Sequence, residues 1–316
     1  MINSEMLRNI SFAPRPHSGQ YWRRLAIFTA VTLTVAALFL LVYFIHLQVN
    51  AFITPNRVPV IGSPAEVGLA YRDVTLTTGD GLELAGWYIP GRQSNAIILV
   101  HGIDANRAAL LRHAALLAGA GYPLLLFDLR GHGQSEGSEI TYGYREALDV
   151  QAAVDYLLAL PEIKQVGALG TSLGGAVVVR AAAVDPRLKG IVVESSFSSL
   201  TEAVEEAFED RSIFPKWPFA PLLVALAEQR LDLKVSEVDS ARDLAALSPR
   251  PVLIIHGAAD SLFPPGHALK MYAAAKEPKT LWLIEGHGHA NPITDHETEY
   301  RERVVTFFEK AFASED

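Results

Sequence analysis

Residues 165–183 read QVGALGTSLGGAVVVRAAA, and this stretch decides the fold. It begins with a short apolar run, passes through the turn GTSLG at 170–174, and continues into small and apolar residues typical of a buried helix. A G-x-S-x-G turn between a strand and a helix is the arrangement of a nucleophile elbow, which exposes a serine hydroxyl at the end of a strand. The stretch therefore predicts an α/β architecture and makes Ser172 a candidate nucleophile.

The same pattern occurs a second time, at residues 133–137 (GQSEG), so Ser135 is a competing candidate. Ser135 follows its apolar run by several residues, lies in a Gly-rich polar loop, and has no helical pattern immediately after it. Because an elbow needs a strand directly before the serine and a helix directly after it, we interpret Ser135 as a loop residue.

Short apolar runs alternate with helical patterns on both sides of the first stretch. These runs cover residues 96–102, 122–131, 165–172, 190–196, 251–257 and 280–286. Runs that are almost wholly apolar are typical of parallel strands covered on both faces. Two earlier runs, 71–78 and 82–90, flank a Thr-Gly-Asp-Gly turn and predict a hairpin. Together they predict an α/β fold: an eight-stranded, mostly parallel sheet with helices on both faces.

One interval, about 197–248, is too long for an ordinary connection between a strand and the next. We expect it to form a small helical cap over the carboxyl edge of the sheet. Its large apolar side chains either line an acyl pocket, contact lipid, or simply pack the cap against the main domain. They are Ile213, Phe214, Trp217, Phe219 and Leu222.

A serine hydroxyl becomes nucleophilic only beside a base, and the base needs an orienting carboxylate. After an elbow serine, the acid and then the histidine follow in chain order. Asp260 lies just beyond one predicted strand, and His289 lies beyond the next, so both are expected at the carboxyl edge of the sheet. Glu194 competes as the acid, but the loop of Asp260 immediately precedes the loop that carries the histidine. His287 competes with His289 as the base.

Two further interpretations of the histidines carry less weight. His296 is expected to begin the last helix as a surface residue. His287 and His289 together would supply half of a metal site, but zinc needs three or four ligands and no comparable cluster accompanies them. The sequence predicts neither a metal nor another cofactor.

An oxyanion hole needs two N–H donors aimed at the developing negative charge. One donor is expected from the backbone of Leu173, directly after the candidate nucleophile. The other is expected from the loop HGID at 101–104, and Ile103 is our choice there.

Residues Leu25 to Ile45 form a run of 21 residues without charge, Gly or Pro. A helix of that length spans about 31 Å, close to the roughly 30 Å of a bilayer core. It exceeds the apolar region of most signal peptides. We therefore predict a retained transmembrane helix rather than a buried core helix, a cleaved signal or the twin-arginine signal that Arg23 and Arg24 faintly suggest.

Charge indicates the orientation of this helix. Residues 1–50 carry four arginines against Glu5, a net charge of +3, and Arg57 is the only basic residue between the helix and Arg72. The positive-inside rule places the N-terminus in the cytoplasm and the rest of the chain on the extracytoplasmic side.

The whole chain has a net charge of −8, so residues 51–316 carry −11, which excludes a nucleic-acid partner. The chain has no cysteine and hence neither a disulfide nor a thiolate site.

From about Tyr71 to Phe312 the chain resembles the alpha/beta hydrolase superfamily. The resemblance rests on an ordered set of motifs: HGID at 101–104, FDLRGHGQS at 127–135, GTSLGG at 170–175, ESSF at 194–197, PVLIIHGAAD at 251–260 and GHGH at 286–289. The resemblance implies Asp260 as the acid, His289 as the base and an oxyanion donor at Ile103. His287 departs from the small residue that relatives often carry there.

The resemblance extends to membrane-bound members that act on esters, acylglycerols or lysophospholipids. It implies a membrane-anchored serine hydrolase, an esterase on a small-molecule or lipid-like ester. A peptidase or amidase with the same triad, or a binding protein without catalysis, are the alternatives. The expected organisation is a cytoplasmic tail (1–24), a transmembrane helix (25–47), a linker (48–68) and the hydrolase domain (69–316).

Overall fold

The computed structural model describes residues 19–211 and 215–313. The chain divides into two compact units, Met1–Gln48 and Val49–Asp316. The predicted tail up to residue 18, and Ile213 and Phe214 of the predicted cap, lie outside the described residues.

A single eight-stranded sheet forms the centre of the second unit, as the apolar runs predict. Its strands are β1 (Arg72–Thr77), β2 (Glu83–Ile89), β3 (Asn95–Val100), β4 (Leu124–Phe127), β5 (Gln165–Thr171), β6 (Leu188–Glu194), β7 (Val252–Gly257) and β8 (Lys279–Ile284). Their spatial order is β1-β2-β4-β3-β5-β6-β7-β8. Only β2 runs antiparallel to its neighbours, β1 and β4, so the predicted hairpin and the mostly parallel sheet are both confirmed.

Helices cover both faces of the sheet. The described helices are α1 (Gly19–Ile53), α2 (Leu111–Gly119), α3 (Glu146–Leu158), α4 (Leu173–Val184), α5 (Leu200–Arg211), α6 (Lys216–Leu231), α7 (Ser240–Ala245), α8 (Gly266–Ala274), α9 (Pro292–Asp295) and α10 (Glu297–Ala313). Two buried apolar clusters result: one joins α3, α4, α7 and α8 to the sheet, and the other joins α2 and α10 to it. Successive apolar side chains of the central strands point alternately to one cluster and the other, which is why these strands read as continuous apolar runs.

The interval predicted as a cap holds α5, α6 and α7, between β6 and β7. Of its apolar side chains, Trp217 is 77% exposed and Leu222 is 39% exposed. Packing against the main domain therefore does not account for Trp217, because most of its indole ring remains accessible.

Helix α1 is long and apolar enough to cross a membrane, and its most apolar window is wholly exposed. It extends beyond the predicted transmembrane segment at both ends, so the segment predicted as a linker begins as helix and leaves it after Ile53. A short 3₁₀ helix at Pro64–Val67 follows before β1.

Candidate active site

The turn after β5 holds Ser172 in a sharp backbone conformation with a positive φ. Its φ is 54° and its ψ is −120°, and α4 begins at the next residue. Two glycines make the turn possible: a Cβ on Gly170 would lie 2.1 Å from the carbonyl oxygen of Gly174, and one on Gly174 would lie 2.2 Å from that of Val100. The spacing G-x-S-x-G is therefore dictated by close backbone approach on both sides of the serine.

Three side chains predicted from separate parts of the chain meet at this turn. The Nε2 atom of His289 lies 3.1 Å from the Oγ of Ser172, and its Nδ1 lies 2.8 Å from the Oδ2 of Asp260. Ser172 and Asp260 are buried, whereas the side chain of His289 is 24% exposed. Both distances are within hydrogen-bond reach, which is the first geometric requirement for an activated serine.

The Asp260 carboxyl group is held as an anion. Burial alone would raise its pKa, but the hydrogen bond with His289 and the backbone amides of Phe263 and Leu262 outweigh burial and lower the pKa below its ordinary value. The two amides donate to Oδ1 at 2.9 and 2.8 Å, which leaves Oδ2 for the imidazole. A carboxylate in this position holds the Nδ1–H tautomer, so that Nε2 offers its lone pair to the serine.

Glu194, the competing acid, lies at the end of β6 and has a different set of partners. Its carboxylate accepts hydrogen bonds from the Tyr300 hydroxyl at 2.7 Å and from the Asn291 amide at 3.0 Å, and His113 lies 3.4 Å away. Although burial would raise its pKa, the His113 and Tyr300 contacts lower it. No hydrogen bond joins Glu194 to His289 among the described contacts.

Glu194 instead fixes the loop that carries His289. Ala290 and Asn291, directly after the histidine, have φ angles of 54° and 58°, which non-glycine residues adopt rarely. The Asn291 amide donates to Glu194, and the Ala290 amide donates to the Ser195 hydroxyl at 3.1 Å. From the sequence, Glu194 is a candidate only for the acid. Its position at the end of an apolar run, at the same edge of the sheet as His289, is the one sequence feature that relates to this supporting role.

The candidate oxyanion donors flank the serine. Leu173 is the first residue of α4, where the N-terminal amides and the helix dipole favour negative charge. The loop of Ile103 also approaches the serine, because a Cβ on Gly102 would lie 3.1 Å from the Cβ of Ser172. The Ile103 side chain itself is 36% exposed.

The other candidates have structural partners away from the serine. The Ser135 hydroxyl donates to the carbonyl of Asp128 at 2.6 Å and accepts from the Ala85 amide at 2.9 Å. The Nε2 of His287 lies 3.0 Å from the carbonyl of Ala290, and its Nδ1 lies 3.6 Å from Asp295. His296 is half-buried at the end of α9. Within residues 19–211 and 215–313, no three His, Asp or Glu side chains cluster in a way that would hold a metal ion.

This sheet and elbow define a hydrolase of the α/β class, and comparison with known proteins places the chain in a family. A profile of the Alpha/beta hydrolase family matches residues 97–303, and the chain belongs to that family. It is 30% identical to the uncharacterized protein YfhR of Salmonella typhi over 301 residues, covering 88% of this chain and 94% of that protein.

Solved structures show the same architecture. The esterase Pf2001 of Pyrococcus furiosus is similar with a TM-score of 0.68 at 25% identity, covering 81% of this chain and 98% of that chain. Est1E of Butyrivibrio proteoclasticus, solved with bound ferulic acid, has a TM-score of 0.61 at 19% identity, covers 76% of this chain and 100% of that chain, and shows the fold alone.

Proposed function

We propose that this hydrolase is a serine esterase that cleaves carboxylic ester bonds through an acyl-enzyme on Ser172. The observation that carries the proposal is the continuous hydrogen-bonded chain from Asp260 through His289 to Ser172. The similarity to the esterase Pf2001 supports the ester as the bond cleaved.

In the proposed mechanism, the Ser172 Oγ attacks the acyl carbonyl while His289 Nε2 takes its proton. The resulting oxyanion is held by the amides of Leu173 and Ile103. Collapse of the intermediate breaks the bond to the leaving alkoxide, which receives the proton from His289 and departs as the alcohol. Water, deprotonated by His289, then attacks the acyl-enzyme. The bond between the acyl carbon and Oγ breaks, His289 returns the proton to Oγ, and the carboxylic acid leaves the regenerated Ser172.

We expect a fluorophosphonate probe to label the full chain in membrane fractions, forming a phosphorus–oxygen bond to Ser172 with loss of fluoride. Only an activated serine reacts readily with such a probe, so heat-denatured protein is the control. Mass mapping of the modified peptide distinguishes Ser172 from Ser135. The same preparation should hydrolyse short p-nitrophenyl esters faster than aminoacyl amides.

Each other outcome of this experiment contradicts part of the proposal. An adduct on Ser135 would identify Ser135, and not Ser172, as the nucleophile. Faster cleavage of the amides would make the chain a peptidase or amidase. Absence of both labelling and ester turnover would leave a binding protein on a hydrolase fold.

We also propose that α1 anchors the enzyme in a membrane, with residues 1–24 in the cytoplasm, the span at 25–47 and the hydrolase domain, 69–316, on the extracytoplasmic side. The arginines before the span support this orientation, since Arg57 is the first basic residue after it. The apolar, exposed helix supports the anchor.

The natural absence of cysteine makes this topology directly testable. Single cysteines are introduced as Ser4→Cys in the tail and Glu302→Cys on the exposed face of α10. A membrane-impermeant maleimide should label Glu302→Cys in intact cells and Ser4→Cys only after lysis. The reverse pattern would invert the topology, and release of a shortened, soluble chain would make α1 a cleaved signal.

A further inference from the structure

The segment directly after α1 is bound across the loops of the hydrolase unit. We call residues 54–59 (TPNRVP) the strap. The Arg57 guanidinium donates to the carbonyls of Gly133 at 3.1 Å and Gly137 at 2.7 Å. The Asn106 side-chain amide donates to the carbonyls of Val58 and Pro59, both at 3.2 Å. The strap is thus a fixed part of this unit rather than a free linker.

The strap also contacts the loop of the candidate oxyanion donor. The backbone amide of Asn56 donates to Asp104 Oδ1 at 2.7 Å, and its side-chain amide donates to Oδ2 at 2.9 Å. Both residues are exposed, and 48 positions separate them in the chain. A carboxylate held at both oxygens by one residue has a defined position and orientation, because each bond excludes motions that the other permits.

Asp104 also has an unusual backbone conformation, directly after Ile103, the candidate oxyanion donor. Its φ is 51°, in the left-handed region that costs a non-glycine residue free energy. Asp104 shares a peptide bond with Ile103, so a change in the Asp104 backbone moves the carbonyl side of Ile103. The N–H of Ile103 lies in the preceding peptide, with Gly102, and shifts only as Ile103 itself moves. The Gly102 backbone on the other side already lies against Ser172. The geometry of the loop therefore depends on what holds Asp104.

We propose that Asn56 and Asp104 are a positioning pair that sets the direction of the Ile103 amide. The inference rests on the proposed function, since it assigns these residues to the oxyanion hole of that reaction. Neither residue contacts the reacting atoms. They act by positioning the Ile103 backbone. They therefore stabilise the transition state, in which negative charge develops on the substrate, and leave the initial binding of the ester unchanged.

A double-mutant cycle in the full chain tests the pair. Asp104→Ala releases the loop and is expected to lower kcat about 100-fold, the scale of a misdirected oxyanion donor, with KM changed less than about threefold. Asn56→Ala keeps the backbone bond and is expected to lower kcat about tenfold. The double variant should match Asp104→Ala within about twofold, because Asn56 has nothing to hold once the carboxylate is gone.

A second readout separates positioning from general loss of structure. A trifluoromethyl ketone adds to the serine as a hemiketal whose oxygen occupies the oxyanion hole. Its affinity should fall by the same factor as kcat in each variant, about 100-fold for Asp104→Ala. Melting temperatures are measured alongside. Glu299→Ala is the matched control, since Glu299 is also an exposed carboxylate that accepts two N–H bonds, from Arg303 on α10.

The results divide cleanly. Unchanged kcat in Asp104→Ala, a rise in KM alone, an unchanged inhibitor affinity, or losses that multiply in the double variant would each overturn the positioning pair. Glu299→Ala losing activity as much as Asp104→Ala would do the same. Failure of the proposed function gives a different result: the wild-type chain itself would neither hydrolyse esters nor react with the fluorophosphonate.

Discussion

Replacing Ser172 with alanine is expected to lower kcat for p-nitrophenyl ester hydrolysis on the order of 10⁶-fold. In the proposed mechanism the loss is large because alanine removes the oxygen atom that forms the acyl-enzyme. His289 and Asp260 then have no nucleophile to activate. A residual rate about 10³-fold or more above the uncatalysed reaction should persist, since the oxyanion donors and the binding surface remain. Steady-state kinetics and loss of fluorophosphonate labelling measure the effect.

Ser135→Ala is the matched control for this substitution, because Ser135 occupies the same position in the other G-x-S-x-G. Its hydroxyl joins the Asp128 carbonyl to the Ala85 amide and is buried. The variant should lose stability, about 1–3 kcal/mol, from the groups left unpaired. Its kcat should remain close to that of the wild type. If the two variants exchange these effects, Ser135 is the nucleophile.

The contrast between these serines shows how far sequence alone identifies a site. Their local patterns are identical, yet only Ser172 lies directly between a strand and a helix. The strands can be predicted from the sequence because each central strand is buried on both faces and must be apolar throughout. The hairpin at 72–89 can be predicted for another reason, because the residues at 78–81 (TGDG) are those that a tight turn requires.

What the sequence does not predict depends on contacts between distant residues. The Asn56–Asp104 pair leaves no signal in either local pattern, because an exposed Asn after a helix and an Asp in a loop are both ordinary. The hydrogen bonds that Asn291 and Tyr300 donate to Glu194 leave no signal in the sequence either. Hydrogen bonds of this kind are set by how the loops meet after folding, and periodicity carries no information about that.

The two buried acids illustrate why position alone does not assign a role. Glu194 is the last residue of β6 and Asp260 lies just beyond β7, at the carboxyl ends of two neighbouring parallel strands, and neighbouring donors lower the pKa of each. Only Asp260 turns an oxygen toward His289. The carboxylate oxygens of Glu194 accept hydrogen bonds from the Tyr300 hydroxyl and the Asn291 amide, and so Glu194 supports the loop on which His289 lies. Asp260 therefore contacts the His289 imidazole directly, whereas Glu194 contacts the backbone two residues after it.

Asp260→Asn is expected to lower kcat about 10⁴-fold with little change in KM. The Leu262 and Phe263 amides donate to one oxygen of Asp260, and in the variant the carbonyl of the new side chain must take that place. Its NH₂ group then faces Nδ1 of His289 and donates to it. The proton of the imidazole is forced onto Nε2, where it faces Ser172, and the histidine can no longer accept the serine proton.

The loss should persist across the neutral range, because the lowered pKa keeps the wild-type carboxylate ionised there while asparagine carries no charge at any pH. A carboxyl group with a lowered pKa stabilises the fold above its unfolded-state value and loses that contribution as the pH falls. The difference in unfolding free energy between wild type and Asp260→Asn should therefore shrink in acid, below the ordinary aspartate pKa of 3.8.

Glu194→Gln is the control variant for Asp260→Asn. With melting temperature measured for both, it should retain far more kcat than Asp260→Asn, since Glu194 makes no hydrogen bond to the imidazole. If Glu194→Gln shows the 10⁴-fold loss and Asp260→Asn does not, the acid of the triad is Glu194.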